Sequence, residues 1–457
     1  LKTVGLASAS TLAGLVTVNG LAPVVLPESA EFEDNRSYWS LALPPPNPPL
    51  RVDIDVDVAI IGGGFTGLST AYYMTRTLPG RRIALIEAKR CGNGASGRNG
   101  AMVLNLKSSA AGAALSQRLY QLTVENIHTI RSLSAALKID CELEQNGALT
   151  VVSNAEEMRA ALSGLRELSG MGVPLEFWNK EKTRAAIGVN VYEGGVFDPN
   201  AGQVHPAKLV HVWKAAAEAA GVHIFERTPV RTISEGSVHE ITTEDGHRIR
   251  ASALVLATNA YTSKLGYLRG AVAPITNYVG ITPVLDGGRL AAVGWRSHIP
   301  FNDSRREVYY AGLTRDGRIH FGGGPVDYAF NNGVGSPPSA ARRYADLHRE
   351  FARTFPSLAD VPFEMTWSGF VDVSLDQTPS VGQMGRHNNI FYGIGYSGEG
   401  VNLTSVFGRI LADLAAGRKE QWDWFPYLNR RLPYVPNEPF RWLGIETDLA
   451  CTRLFGA

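Results

Sequence analysis

Cysteine is scarce: Cys91, Cys141 and Cys451 are the only three in 457 residues. An odd number of widely spaced thiols gives neither a disulfide framework nor the paired spacing of a zinc site. Excess charge is also missing, since 44 Lys and Arg against 43 Asp and Glu leave a formal net charge of +1. Without a long basic run, nothing points to nucleic acid as a partner. No internal repeat or low-complexity block appears, and no hydrolytic triad or metal-ligand cluster stands out. What remains is 44% hydrophobic and 19% charged, the composition of a soluble globular chain long enough for two or three domains.

The most informative stretch is VDVAIIGGGFTGLSTAYYMTRTLPGRRIALIEA, ending at Ala88. Val56, Val58, Ile60 and Ile61 make a β-branched run that stops in three glycines, as a buried parallel strand does at a tight turn. From Phe65 to Leu78 the apolar residues recur at helical spacing, and Pro79-Gly80 ends them. Ile83 to Ile86 then forms a second strand, closing a β-α-β unit. Gly62, Gly64 and Gly67 form G-x-G-x-x-G, and Glu87 lies twenty residues after the last glycine. The glycines allow the turn, the approach of a pyrophosphate and close helix packing, while Glu87 can accept hydrogen bonds from ribose hydroxyls.

After Glu87 a nicotinamide-binding domain would continue straight to another strand and helix. This chain instead makes a loop, CGNGASGRNGAMV, with Gly92, Gly94, Gly97 and Gly100. Small residues with interspersed donors suit a loop running close beneath a flat polar ring, which makes FAD the expected cofactor. A second glycine-fronted helix lies in IFYGIGYSGEGVNLTSVFGRILADL, residues 390–414. Its start would stabilise the negative charge that a reduced flavin carries near N1 and the C2 carbonyl. No metal ligand is assigned.

Between these motifs, residues 115–137 read as a long amphipathic helix and 147–153 as a strand. His205 precedes Pro206 at a helix entry, which gives it a structural use. Residues 222–257 read as several short strands returning to the nucleotide-binding sheet, ending in Thr258 and Asn259. APITNYVGITPVL and SRREVYYAGLTRDGRIHFGGG are expected to hold two strands each, the second pair joined at Asp316-Gly317. Tyr278, Tyr309 and Tyr310 fall on them. The N-terminal residues 1–26 carry one charge, Lys2, and suit an export signal, with LKTVG resembling the residues just after the arginine pair of twin-arginine signals. The expected location is periplasmic or exported. Membrane association through residues 1–26 applies if the segment is retained, and a cytoplasmic location if it is no signal.

The ordered set IIGGGFTGLSTAYY, IEAKRCGNGASGRNGAMV, GQVHPAKLV, VLATNAYT, GRIHFGGG and GIGYSGEGVNLTSVFGRILAD resembles the D-amino-acid oxidase and glycine oxidase family of FAD-dependent amine and amino-acid oxidoreductases, nearest its gamma-glutamylputrescine oxidoreductase branch. The resemblance implies an α/β fold: a glutathione-reductase-like FAD-binding domain with an interleaved α+β substrate domain on a mixed, largely antiparallel sheet. The division is 1–30 as export or anchor-like segment, 31–52 as lead-in, 53–110, 195–265 and 365–417 as the FAD-binding domain, 111–194 and 266–364 as the substrate domain, and 418–457 as a tail packing on the body.

By match of motif, Gly62, Gly64, Phe65, Thr66, Gly67, Glu87 and Ala88 would bind the ADP portion. Ser96, Gly97, Arg98, Asn99, Gly100, Ala101 and Met102 would run along the flavin. Val230 would meet the adenine side, with Thr258 and Asn259 across the same sheet. Gly395, Gly398, Glu399, Gly400, Val401, Asn402 and Leu403 would meet the pyrimidine edge, and Tyr278 and Tyr310 would place substrate; Glu399, beside the flavin, either helps draw in a cationic amine or points away and caps its helix. Family members move a hydride from an amine-bearing carbon to flavin N5, giving an imine that hydrolyses, with oxygen or a respiratory-chain carrier as acceptor. Two departures matter. Relatives often read GYSGHG where this chain has Glu399, and many carry Tyr-Tyr-Arg where it has Tyr309-Tyr310-Ala311. A missing arginine removes a carboxylate clamp and turns the expectation from an α-amino acid toward a plain or extended amine. The competing readings are a flavin-bearing electron-transfer or structural subunit and an NAD-dependent dehydrogenase.

Overall fold

The computed structural model describes residues 36–108, 112–335 and 339–455, without the side chains of 453–455. The export reading of residues 1–30 lies outside the described residues. No described helix is long and apolar enough to cross a membrane.

Two sheets organise the chain. The first runs Ser380–Met384, Ile390–Ile394, Arg248–Leu256, Ile54–Ile61, Ile83–Ile86, His223–Phe225. Its central pairings are parallel, and only the Ser380–Met384 edge on this path is antiparallel. Val58, Ala59, Ile60 and Ile61 are all buried, as a parallel strand covered on both faces requires. A hairpin of Val230–Ser234 and His239–Thr243 adds to the early half of Arg248–Leu256. That strand is continuous over nine residues.

The second sheet has nine strands, antiparallel except where Phe301–Asp303 runs parallel to Ala148–Val152. Helix Ala340–Thr354 covers it with Leu347 and Phe351, which join Tyr278, Trp295, Phe301 and Phe321 in a second core. Three expectations need correction. APITNYVGITPVL makes one long strand, Ala273–Ile281, because its whole length pairs with Met365–Val373. Met365–Val373 and Gly194–Asp198, grouped by sequence with the FAD-binding segments, pair in the second sheet instead. Strand pairing, which sequence spacing does not reveal, sets these memberships.

Helices Phe65–Thr77 and Gly400–Ala415 pack on the first sheet and on each other. A Cβ on Gly408 would lie 2.2 Å from Ser69 Oγ and 2.8 Å from the Thr70 backbone nitrogen. The helices therefore meet almost backbone to backbone. The tail packs on the later helix, with buried Trp422 donating to Asp413 Oδ2 at 2.9 Å and Phe425 edge-on to Phe407.

Gly408→Ala is expected to cost about 1–3 kcal/mol through overpacking, measured by denaturant unfolding. Gly444→Ala, in a helix position with open space around it, serves as the control matched for helix propensity and is expected to gain up to about 1 kcal/mol. Equal stability of the two variants would contradict the close helix contact.

Candidate functional site

At the first glycine turn, Gly62 has φ +108° and a Cβ there would lie 2.4 Å from Ala257 O, while a Cβ on Gly67 would lie 1.9 Å from Gly62 O. Both are clashes with backbone, so only glycine keeps this turn against its neighbours. Thr258 comes directly after Ala257 and reaches to within 3.4 Å of the same Gly62 position. Helix Phe65–Thr77 starts without a side-chain cap from Gly64, and the Phe65 N–H donates to Ser96 Oγ at 2.9 Å. Glu87 stands at the carboxyl end of the second strand. Its Oε2 accepts from Gly63 N at 2.7 Å and its Oε1 from Lys89 N at 2.9 Å. Burial raises its carboxyl above the usual range, opposed by these two amides. Ala88 is exposed beside it, and Thr228 N donates to Glu87 O two residues before Val230.

The loop after Glu87 is tied internally. Asn99 Nδ2 donates to Ala95 O and Ser96 O, and Asn99 Oδ1 accepts from Ala101 N at 2.9 Å, holding Ala101 at φ 60°. Arg98 is buried, with Nε on Asn93 O at 2.7 Å and Nη1 on Ser368 O at 3.0 Å; burial lowers its pKa. Its guanidinium thus braces the loop against the second sheet. Met102 is buried and pairs with Gln203.

The later turn is bound to the first. Tyr396 OH and Thr66 Oγ1 share a hydrogen bond of 2.8 Å, which occupies the Thr66 hydroxyl within the protein. Gly395 and Gly398 have φ of +78° and +97°. Asp372, absent from the expected site, accepts from Gly395 N at 2.6 Å and Tyr396 N at 3.2 Å. With its amide nitrogen turned that way, Asn259 donates to both Asp372 oxygens, at 3.0 and 2.7 Å. Burial pushes the Asp372 carboxyl up to about 7 against the pull of these backbone donors. Nothing in its local sequence, VDVSLD, marks it out, because its partners lie more than twenty residues ahead or a hundred behind.

Helix Gly400–Ala415 begins at Glu399, whose side chain makes no cap hydrogen bond. Glu399 is exposed, yet surrounding protein raises its carboxyl above the usual range, with Lys107 the charge that opposes the shift. Val401 and Leu403 are buried. Asn402 is too, and its amide is spent inside the protein, on Leu104 O at 3.0 Å and Thr123 O at 3.1 Å, while Asn126 Nδ2 donates to its Oδ1 at 2.8 Å.

The two tyrosines separate. Tyr278, expected to place substrate, is 1% exposed in the second core, and its hydroxyl donates to Asp327 Oδ2 at 2.6 Å. Asp327 also binds Ser339 and Arg343, so Tyr278 serves that packing network. Tyr310 instead lies over the flavin loop: a Cβ on Gly100 would lie 2.4 Å from its ring. Among the described residues no hydrogen-bond partner is recorded for its hydroxyl, and burial raises its pKa.

These residues fit FAD. The glycine cradle leaves backbone bare for a pyrophosphate, Glu87 retains acceptor capacity for ribose hydroxyls, and the Gly400 helix presents uncapped amides at the other end. The chain matches the family described as FAD dependent oxidoreductase, abbreviated DAO, over residues 57–414. It is 31% identical over 395 residues to a probable oxidoreductase, OrdL, of Rhizobium meliloti strain 1021, covering 83% of this chain and 87% of the relative. Gamma-glutamylputrescine oxidoreductase of Escherichia coli strain K12 is 29% identical over 399 residues, covering 85% and 89%. Among solved structures, glycine oxidase from Geobacillus kaustophilus superposes with TM-score 0.70 at 20% identity, covering 82% of this chain and 99% of that one.

Asp372 yields a pH prediction. Its folded pKa, about 7, lies above its ordinary 3.8, so its contribution is complete below about 4 and is lost as pH rises from there through 7. The stability of the wild type relative to Asp372→Asn is expected to fall between about pH 4 and pH 7. Parallel curves across that range in paired denaturant melts would contradict the buried, proton-retaining carboxyl.

Proposed function

Because the chain belongs to the DAO family of FAD dependent oxidoreductases, we propose that it oxidises a small amine or amino acid at the carbon bearing nitrogen. When bound, FAD supplies the acceptor for the hydride leaving that carbon. The nitrogen loses a proton, and water hydrolyses the resulting imine to a carbonyl compound and an amine or ammonia. The relatives named gamma-glutamylputrescine oxidoreductase and glycine oxidase support this substrate class. Membership in an FAD family sets aside the NAD-dependent reading.

The observation that carries the reading is Glu399: a crowded yet accessible carboxyl at the start of the helix that would meet one end of the cofactor. Exposed at the start of its helix, it attracts a cationic amine, and its raised pKa suits it to hold a proton from the ammonium on a carboxyl oxygen. Tyr310 contributes an aromatic wall and a hydroxyl open to a substrate nitrogen. With Ala311 in place of an arginine, no fork-shaped carboxylate anchor arises at that position, which favours a plain or extended amine. Orientation and exclusion of water are the work left to the protein.

Anaerobic addition of a panel of amines and amino acids is expected to bleach the flavin with at least one cationic amine. No bleaching by any of them would leave an electron-transfer or structural subunit as the better description. Glu399→Gln is expected to lower kcat/KM for the active amine about tenfold, mostly through KM. Unchanged kcat/KM would remove Glu399 from substrate capture. Turnover under oxygen compared with a quinone analogue then identifies the electron acceptor.

A further inference from the structure

Three consecutive carbonyls of the loop after Glu87 are each held by a side chain from elsewhere. Ser37 Oγ donates to Gly97 O at 2.6 Å, Trp367 Nε1 to Arg98 O at 2.9 Å, and Trp39 Nε1 to Asn99 O at 2.9 Å. Ser37 and Trp39 come from the lead-in, outside the family match that begins at residue 57, and Trp367 comes from a strand of the second sheet. The tryptophans are 2% and 0% exposed, with ring centroids 6.2 Å apart at 79°. Trp39 is further fixed edge-on by His205 and His320 at 5.1 and 5.4 Å. Burial pushes both histidines down, to about 4 and about 3, so both rings against Trp39 are neutral. Trp213 and Trp295, also buried, leave their indole N–H groups unpartnered, so burial alone does not produce such contacts.

In a trans peptide the carbonyl and the next residue's N–H point in opposite directions. Holding Arg98 O and Asn99 O toward the indoles therefore turns the N–H groups of Asn99 and Gly100 to the far side of the loop. No hydrogen bond is recorded for either amide among the described residues, although the neighbouring Arg98 N and Ala101 N are both satisfied, by Ala95 O and Asn99 Oδ1. Two adjacent donors, fixed in direction and spent on no protein acceptor among the described residues, are therefore available to a ligand on that side of the loop.

We infer that Trp39 and Trp367 are positioning residues that lock the Asn99 and Gly100 amides as a pair of hydrogen-bond donors to the acceptor edge of the flavin ring. Preorganised donors of this kind stabilise charge that builds on the ring when it takes up electrons. The lead-in thus becomes part of the cofactor site, reaching the ring through the loop's carbonyls. The inference rests on FAD binding and needs no particular amine substrate.

Trp39→Phe and Trp367→Phe keep an aromatic ring and remove the N–H. Each is expected to weaken FAD binding about tenfold and to shift the flavin's reduction equilibrium about tenfold toward the oxidised form, about 30 mV for a two-electron couple. The FAD-free protein loses some stability as well, because a loop carbonyl is left unpaired, so the reduction potential, which a loss of stability alone does not move, is the deciding readout. Wild-type affinity and potential in both variants would overturn the inference. If either variant fails to fold, hydrogen exchange on the wild type decides: the Asn99 and Gly100 amides should become protected on FAD loading, and exchange at an unaltered rate would be equally fatal. Neither measurement uses an amine, so a failure of the proposed substrate class leaves it unaffected.

Discussion

The site depends on the contact between two helices that enter the chain more than three hundred residues apart. Gly408 lets Gly400–Ala415 close onto Ser69 and Thr70 of Phe65–Thr77 with no side chain between them, and the Thr66–Tyr396 hydrogen bond joins their leading ends. Helices at ordinary separation keep about 8–10 Å between axes, and a side chain at position 408 would hold these two further apart than they stand. The consequence is functional. The two glycine-fronted helix starts are held relative to each other by contacts within the protein.

Rigid placement of helix starts still leaves the loop between them to be fixed, and glycine-rich loops are floppy by composition. Here the floppiness is removed from outside. The loop's carbonyls are spent on Ser37, Trp367 and Trp39, and its one large cation, Arg98, reaches out to Ser368 O. A buried indole or guanidinium left without its acceptor would cost about 1–3 kcal/mol, so loop and surroundings hold each other. Small residues allow the backbone to approach a ring, and large residues on the opposite side keep it there.

Much of this was legible in the sequence, and the gaps have a common cause. The first glycine turn, Glu87 and the second glycine-fronted helix are local patterns, readable because turn, helix and acid succeed one another within thirty residues. His205 likewise stands at its helix entry and accepts from Lys208 N at 3.4 Å. Asp372, Trp39 and Trp367 escaped notice because each acts on backbone groups of a distant segment, and a side chain bonded to a backbone atom leaves no complementary residue to look for. Tyr278 misled for the converse reason: a tyrosine on a strand of the second sheet carries no sign of which face it takes, and its partner Asp327 is 49 residues away. The two-strand reading of APITNYVGITPVL and the grouping of Met365–Val373 with the FAD-binding segments failed similarly, since pairing partners decide strand length and sheet membership.

One strand connects these observations. Met365–Val373 belongs to the second sheet by pairing, yet within six residues it touches both halves of the cofactor site. Trp367 and Ser368 hold the loop after Glu87, and Asp372 holds the turn before Glu399. At about 3.3 Å per residue, Trp367 and Asp372 are separated by roughly 17 Å of rigid, hydrogen-bonded chain. A displacement of the second sheet relative to the first would therefore move the loop and the late turn together, as one frame, and not spread them apart. Tyr310, which lies over Gly100, belongs to the same sheet. The sheet that carries Tyr310 is thus also the sheet that braces the loop after Glu87 and the turn before Glu399, so these parts of the candidate site share one frame.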